Sequence, residues 1–358
     1  MKRNLGLLLC LAVSLSACAA SPLAVLGRAG AAGSPPGVPP PLPPIPPPAA
    51  GAVPLGADLV ELLTDGAGAA ARLVRAVAAA RRTIHAEIYE FDRPDLLAAM
   101  LDARRRGVEV RAILDPTVRV DAPTEAALAA AGAEVSLFPD QARQIDHAKL
   151  LLVDGARAFF GGMNWGARSY LNHDFEVALT GPSVAALERL FATDRLRCGR
   201  LAGPPEPAPP PANVALRLLA TYPDDTILPA VLAMIGSARR YLFVEMYVMT
   251  DAHVVSALAE AARRGLAVWC LLDPGQDPNR ATIVALRLAG VHVAYYRTHG
   301  ELLHAKAMVA DGERLLVGSA NWSRSGFTRN HELDAVLESA ALAAAALARM
   351  EADWNASR

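Results

Sequence analysis

Lysine is nearly missing from this chain of 358 residues: among 35 basic side chains it stands only at Lys2, Lys149 and Lys306, and the rest are arginine. Net charge is equally scarce, with 36 acidic residues leaving a formal −1. Bulk electrostatics therefore give the protein no hold on nucleic acid or an anionic membrane. Charged residues make up 20 % and hydrophobic ones 53 %, which excludes disorder of the whole chain. Past the N-terminus no run of about 18 apolar residues escapes a charge or a proline, which excludes a polytopic membrane protein. At roughly 150 residues per domain, the length predicts two domains.

Residues 1–18 read M-K-R-N-L-G-L-L-L-C-L-A-V-S-L-S-A-C: a basic start, an apolar stretch too short to span, then small residues. This is the pattern of an export signal. Its end, Leu15-Ser16-Ala17-Cys18, resembles the bacterial lipobox, which implies removal of 1–17 and attachment of lipid to Cys18. Ala19 in place of Asp implies sorting to an outer membrane, facing the periplasm. Cys10 leaves with the signal, so Cys198 and Cys270 are the thiols left in the body. Cys270 lies in V-W-C-L-L, the pattern of a buried strand, and both thiols are expected to be unpaired. Eleven prolines between Pro35 and Pro54 predict that 18–54 is an extended tether. A second proline cluster predicts a linker at 203–213 between folded units at 55–202 and 214–358.

The two units are a duplication. At an offset of 158, Glu87 matches Glu245, Tyr89 matches Tyr247, Gly107 matches Gly265, and Asp115-Pro116 matches Asp273-Pro274. Each half runs from an E-x-Y strand through an alanine-rich helix ending in arginine and glycine to an apolar strand ending in Leu-Asp-Pro. Strand, helix, strand implies parallel pairing with helices on the sheet faces, hence an α/β unit in each half.

Both halves then carry a second shared segment, H-A-K-L-L-L-V-D-G-A-R-A-F-F-G-G-M-N-W from His147 and H-A-K-A-M-V-A-D-G-E-R-L-L-V-G-S-A-N-W from His304. The two lysines beyond the signal thus each follow a histidine by two positions. Where a cation merely had to be solvated, this chain uses arginine. A compact ammonium suits close approach to a phosphoryl oxygen beside a nucleophile. On a strand, positions i and i+2 share a face, so His147 pairs with Lys149 and His304 with Lys306. The Asp-Gly turn and returning strand bring Asn164 and Asn321 beside these pairs. Two histidines, two lysines and two amides, without a cluster of carboxylates for a divalent metal, fit covalent phosphoryl chemistry with no cofactor.

Both segments resemble the H-x-K-x4-D-x6-G-(G/S)-x-N motif of the phospholipase D superfamily, and the duplicated order covers nearly all of the chain from about residue 55 to 354. The resemblance implies two tandem α/β units, each a mixed sheet flanked by helices, packed about a pseudo-two-fold axis within one monomer. It implies His147 as nucleophile and His304 as acid and base, with Lys149, Lys306, Asn164, Asn321 and Ser319 holding the phosphate. It also implies an acid shortly after each motif that orients that motif's histidine: Glu332 in the second half, and Asp174 or Glu176 in the first. Asp154 and Asp311 would brace the turn and not react. His173 and His331 match between the halves and are expected to support the site, while Glu87 and Glu245 are expected to be buried structural carboxylates.

The motifs leave the substrate open. G-G-M-N followed by H-D-F-E-V looks like cardiolipin synthases and related phospholipases, whereas G-S-A-N-W-S-R-S-G-F looks like the superfamily's nucleases. Near-neutral charge and a lipid anchor favour phospholipid, by hydrolysis or by phosphatidyl transfer. A metal-independent endonuclease and a catalytically silent envelope scaffold are the competing readings.

Overall fold

The computed structural model describes residues 51–139, 144–199, 213–222, 225–298 and 300–358, all within one compact unit from Pro40 to Arg358. The signal segment, Cys18 and the linker up to residue 212 lie outside the described residues, as does the tether up to residue 50.

The first half contributes strands β1 (Val53–Leu55), β2 (Asp58–Leu63), β3 (Thr83–Ile88), β4 (Glu109–Leu114), β5 (Glu134–Leu137), β6 (Lys149–Val153), β7 (Arg157–Gly161) and β8 (Glu176–Thr180). Its helices are α1 (Gly66–Ala78), α2 (Pro94–Arg105), α3 (Ala122–Ala130) and α4 (Val184–Arg197). The second half contributes β9 (Leu216–Ala220), β10 (Tyr241–Met246), β11 (Ala267–Leu272), β12 (His292–Tyr295), β13 (Lys306–Ala310), β14 (Arg314–Gly318) and β15 (Leu333–Glu338). With them come α5 (Ile227–Ser237), α6 (Ala252–Arg263), α7 (Asn279–Leu288), α8 (Arg324–Thr328) and α9 (Ala340–Ser357).

The strand orders are β1-β2-β8-β7-β6-β3-β4-β5 and, read in the matching direction, β9-β15-β14-β13-β10-β11-β12. Beyond the extra edge strand β1, the two sheets have one topology. In both, the strands joined through a helix pair in parallel, β3 with β4 and β10 with β11, while the motif hairpins β6-β7 and β13-β14 are antiparallel. The parallel pairs are those that the repeat predicts, and the mixed sheets those that the family resemblance implies. Val53 and Pro54, read from sequence as the end of the tether, form β1 on the sheet edge, where a proline costs no ladder bond. Asn213, read as the end of the linker, is buried and donates from Nδ2 to Asp58 Oδ2 at 2.9 Å.

Helices α1, α2 and α3 cover the outer face of the first sheet with one apolar core, and α5, α6 and α7 cover the second with another. A third core fills the space between the sheets. It joins Phe160, Phe175 and Val177 of the first half to Phe243, Trp269 and Leu333 of the second, with α4 and α9 inserted alongside. Two sheets burying apolar faces against a common layer fix the relative position of their hairpins, and the candidate site lies where those hairpins end.

No described helix is long and apolar enough to cross a membrane. Cys198 and Cys270 are both free thiols, as expected.

Candidate active site

The hairpin turns come first, because they aim everything else. Asp154-Gly155 and Asp311-Gly312 all have positive φ, 57° and 63° in the first pair and 57° and 71° in the second. Left-handed backbone at both positions reverses the chain within the three residues that separate Val153 from its partner Arg157 and Ala310 from its partner Arg314. Each aspartate also ties its turn to the neighbouring strand. Asp154 accepts backbone N–H groups from Arg81, Arg82 and Thr83, and Asp311 accepts those of Arg239, Arg240 and Tyr241. The structure thus places both motif aspartates at the far end of the hairpins from the histidines, in the bracing position.

His147 and Lys149 sit at the entry to β6, and His304 and Lys306 at the entry to β13. All four are buried, with relative exposures of 6 %, 1 %, 6 % and 1 %. Lys149 Nζ donates to the carbonyl of His147 at 2.6 Å, and Lys306 Nζ folds back in the same way on His304. Burial holds the His147 imidazole well below its ordinary range, and the charges of Lys149, Lys306 and His304 push it further. The ends of the two hairpins meet, for a Cβ on Gly162 would lie 3.4 Å from the carbonyl oxygen of Gly318. Burial also lowers Lys149 to about 8 and Lys306 to about 7, against the pull of the surrounding carboxylates.

The acids are where sequence and structure part. Reading each half by itself assigns Glu332 to His304 and Asp174 or Glu176 to His147. In the structure the pairing is crossed. His147 Nδ1 lies 2.8 Å from Glu332 Oε2, and His304 Nδ1 lies 3.0 Å from Asp174 Oδ2. Backbone pairing between the halves is the cause. The His147 N–H donates to the carbonyl of His331 at 2.8 Å, and the His304 N–H to that of His173 at 2.9 Å. The segment after each motif therefore runs beside the histidine of the other motif, and delivers its acid there.

Glu176 orients neither histidine. Its Oε1 accepts the Met163 N–H at 2.6 Å, and Asp334 likewise takes the N–H groups of Ser319 and Ala320. These second acids of N-H-D-F-E and N-H-E-L-D fix the backbone after the paired glycines or Gly-Ser. Ser319 also departs from its expected role. Its hydroxyl donates to Glu332 Oε2 at 2.6 Å and accepts from the Leu333 N–H, so the hydroxyl is engaged in bracing the acid. In the first half Gly162 stands in its place, because a Cβ there would come within 2.4 Å of Asp174 Oδ1.

Asn164 and Asn321 end the hairpins partly buried, and their Oδ1 atoms have no hydrogen-bond partner. Asn164 Nδ2 reaches Glu90 Oε2 at 3.3 Å. The second half has Val248 at the position of Glu90, so the carboxylate belongs to the first half alone.

Two residues that sequence reading did not place at the site belong to it. The Tyr89 ring lies 5.1 Å from His147 and 5.4 Å from Lys149 Nζ, and the Tyr247 ring lies 4.9 Å from His304 and 5.3 Å from Lys306 Nζ. An aromatic face holds a buried ammonium without neutralising it. The signal for these tyrosines was present, since both survive at one offset in the duplication.

Two buried groups bring a histidine and two carboxylates together: His331 with Glu87 and Asp194, and His173 with Glu245 and Asp353. In each, burial alone would lower the imidazole, but the carboxylates win and raise it, most strongly at His331.

Two segments, residues 73–194 and 231–354, match the family model described as "Cardiolipin synthase, PLD-like domain". The chain belongs to that family. Among its relatives are cardiolipin synthase A of Cronobacter sakazakii, 27 % identical over 82 % of this chain and 68 % of the relative, and that of Escherichia fergusonii, 28 % identical over 78 % and 65 %. The chain thus spans about two thirds of the length of these synthases. In fold it is similar to phosphatidylserine synthase of Haemophilus influenzae, with a TM-score of 0.66 at 11 % identity over 83 % of this chain and 85 % of that one. It is also similar to polyphosphate kinase of Porphyromonas gingivalis, with a TM-score of 0.60 at 16 % identity over 82 % of this chain and 46 % of that one.

Proposed function

We propose that the chain is a phospholipase D-type phosphodiesterase acting on phospholipid, working as a phosphatidyltransferase of the cardiolipin synthase kind or as a hydrolase. The observation that carries this reading is the pair of buried histidines, each with an acid on Nδ1 and an ammonium beside it. With Nδ1–H donated to Glu332, the neutral His147 ring presents its Nε2 lone pair. That nitrogen bonds to phosphorus while the bond to the leaving alcohol breaks, and His304 gives the alcohol its proton. His304 then takes a proton from water or an acceptor hydroxyl, whose oxygen displaces the histidine. Lys149 and Lys306, with Asn164 and Asn321, neutralise and hold the non-bridging oxygens.

Phospholipid is favoured over DNA by the near-neutral chain and by the cardiolipin synthases among its relatives. We further propose export with lipid on Cys18, the prolines up to Pro54 forming a spacer, and anchoring at the outer membrane; radiolabelled palmitate incorporated by the native chain and lost in Cys18→Ser tests this. For the activity itself, the full chain is mixed with vesicles of phosphatidylglycerol or phosphatidylcholine, or with single-stranded DNA. Formation of cardiolipin, or release of glycerol or choline, is expected. DNA cleavage with inert lipid would establish the endonuclease instead, and no turnover of any substrate would leave a silent scaffold.

A further inference from the structure

His173 and His331 have no part in the chemistry above, yet both are wholly buried, at 2 % and 0 % exposure. Each sits on a segment of one half with its ring plugged into the other. The His331 ring enters the first half, with Nε2 at 3.1 Å from Asp194 Oδ2 on α4 and 3.4 Å from Glu87 Oε1 on β3, and it stacks on Phe138. The His173 ring enters the second half, with Nε2 at 2.6 Å from Glu245 Oε2 on β10 and 3.3 Å from Asp353 Oδ2 on α9, and it stacks on Tyr296.

Their backbones grip the motifs. His331 donates its N–H to Ile145 and accepts that of His147, both at 2.8 Å, while His173 donates to Leu302 at 2.8 Å and accepts from His304 at 2.9 Å. The residue after each plug is the orienting acid, Glu332 after His331 and Asp174 after His173. The His331 ring is seated by stacking and charge, its nitrogens making no hydrogen bond, and the His173 ring by stacking and its bond to Glu245; an acid one residue from such an enclosed ring is held near that ring.

We propose that His331 and His173 are positioning residues acting in a crossed pattern: His331, through Glu332, sets the His147 ring, and His173, through Asp174, sets the His304 ring. This rests on the functional reading above for the division of labour between the two imidazoles, but the crossing itself follows from the contacts. The two plugs then govern different steps. In the first step His304 protonates the leaving alcohol, so loosening it slows that step for an alkyl leaving group and little for a nitrophenolate, which departs unprotonated; its work as base comes after nitrophenolate release. His147 makes the bond to phosphorus, and loosening it matters for both.

The test compares His173→Asn and His331→Asn in the full chain on two substrates, dioctanoyl phosphatidylglycerol and bis(p-nitrophenyl) phosphate, with melting temperature recorded alongside. Misplacement of a reacting group by about 1 Å costs about 10²-fold. His173→Asn is expected to lose about that much kcat on the lipid but to release the first equivalent of nitrophenolate, read as a burst before the phosphohistidine turns over, at nearly the native rate. His331→Asn is expected to lose about as much on both. Combining His173→Asn with Asp174→Asn should add little to the stronger single loss, whereas combining it with Glu332→Gln should multiply the losses. If either variant fails to fold, Glu245→Gln and Glu87→Gln, which keep the shape of the anchors and remove their charge, take its place with the same expected pattern. A leaving-group split with the two plugs reversed would keep the crossed positioning and overturn only the assignment of His147 as nucleophile. Equal losses on both substrates for both variants, or native rates throughout, would overturn the proposal.

Discussion

Glu332 holds His147 at 2.8 Å across 185 positions of sequence, while its nearer candidate, His304, is held by Asp174 of the other half. Each imidazole is therefore complete only when both halves are present. Glu332→Gln should lower turnover by about 10²- to 10⁴-fold, because the amide cannot accept the Nδ1 proton in the same way and the wrong tautomer is favoured. Trapping of labelled phosphohistidine on His147 after a rapid quench checks this, and trapping at the native rate would contradict it.

Gly162 and Ser319 are matching positions with opposite tolerances. A Cβ at 162 would meet Asp174 Oδ1 at 2.4 Å, whereas the Ser319 hydroxyl supports Glu332 at 2.6 Å. Gly162→Ser should displace Asp174 and cost at least ten times more activity than Ser319→Gly, which introduces no clash and removes two hydrogen bonds of about 1 kcal/mol each. Head-group release by the two variants at equal concentration decides it.

The pH profile of kcat/KM should be a narrow bell near neutrality. Burial raises Glu332 to about 7 despite Lys149, so below that pH it is protonated and cannot accept from His147. Burial lowers Lys306 to about 7 and Lys149 to about 8, so above those values the phosphate loses its cations. Activity thus rises towards 7 on the acid side, begins to fall as Lys306 loses its proton near 7, and falls further as Lys149 does near 8. In Glu332→Gln the acid limb should disappear and the alkaline limb remain.

Asp311 works for stability. It accepts three backbone N–H groups from Arg239, Arg240 and Tyr241, which hold its carboxyl below the usual range although burial opposes them. Asparagine tolerates the left-handed turn but brings a weaker acceptor, so Asp311→Asn should cost about 1–3 kcal/mol of unfolding free energy. The midpoint of urea denaturation should fall, while kcat per folded molecule is unchanged.

What could be read from the sequence was whatever lies within one repeat. The strand that opens at Lys149, the Asp154-Gly155 turn and the parallel pairing of the helix-linked strands follow from periodicity, turn chemistry and duplication. The crossing of Asp174 and Glu332 could not be read, because it depends on backbone bonds from His147 to His331 and from His304 to His173 between segments that a linear reading keeps apart. Ser319 was misread for a related cause: its hydroxyl has a partner whose position depends on the same docking. Tyr89 and Tyr247 were visible as a matched pair, but on apolar strands an aromatic is ordinarily core, and only the lysines above their rings show otherwise.

The core between the sheets has a consequence for biogenesis. Phe160, Phe175 and Val177 leave the ribosome well before Phe243, Trp269 and Leu333, with which they pack, and α9 closes that layer only when Trp354 has been made. Until then the nascent first half displays a bare apolar sheet face, the state most prone to self-association. A gene cut between the repeats should therefore yield two insoluble products when expressed separately, and soluble material only when both are translated in the same cell.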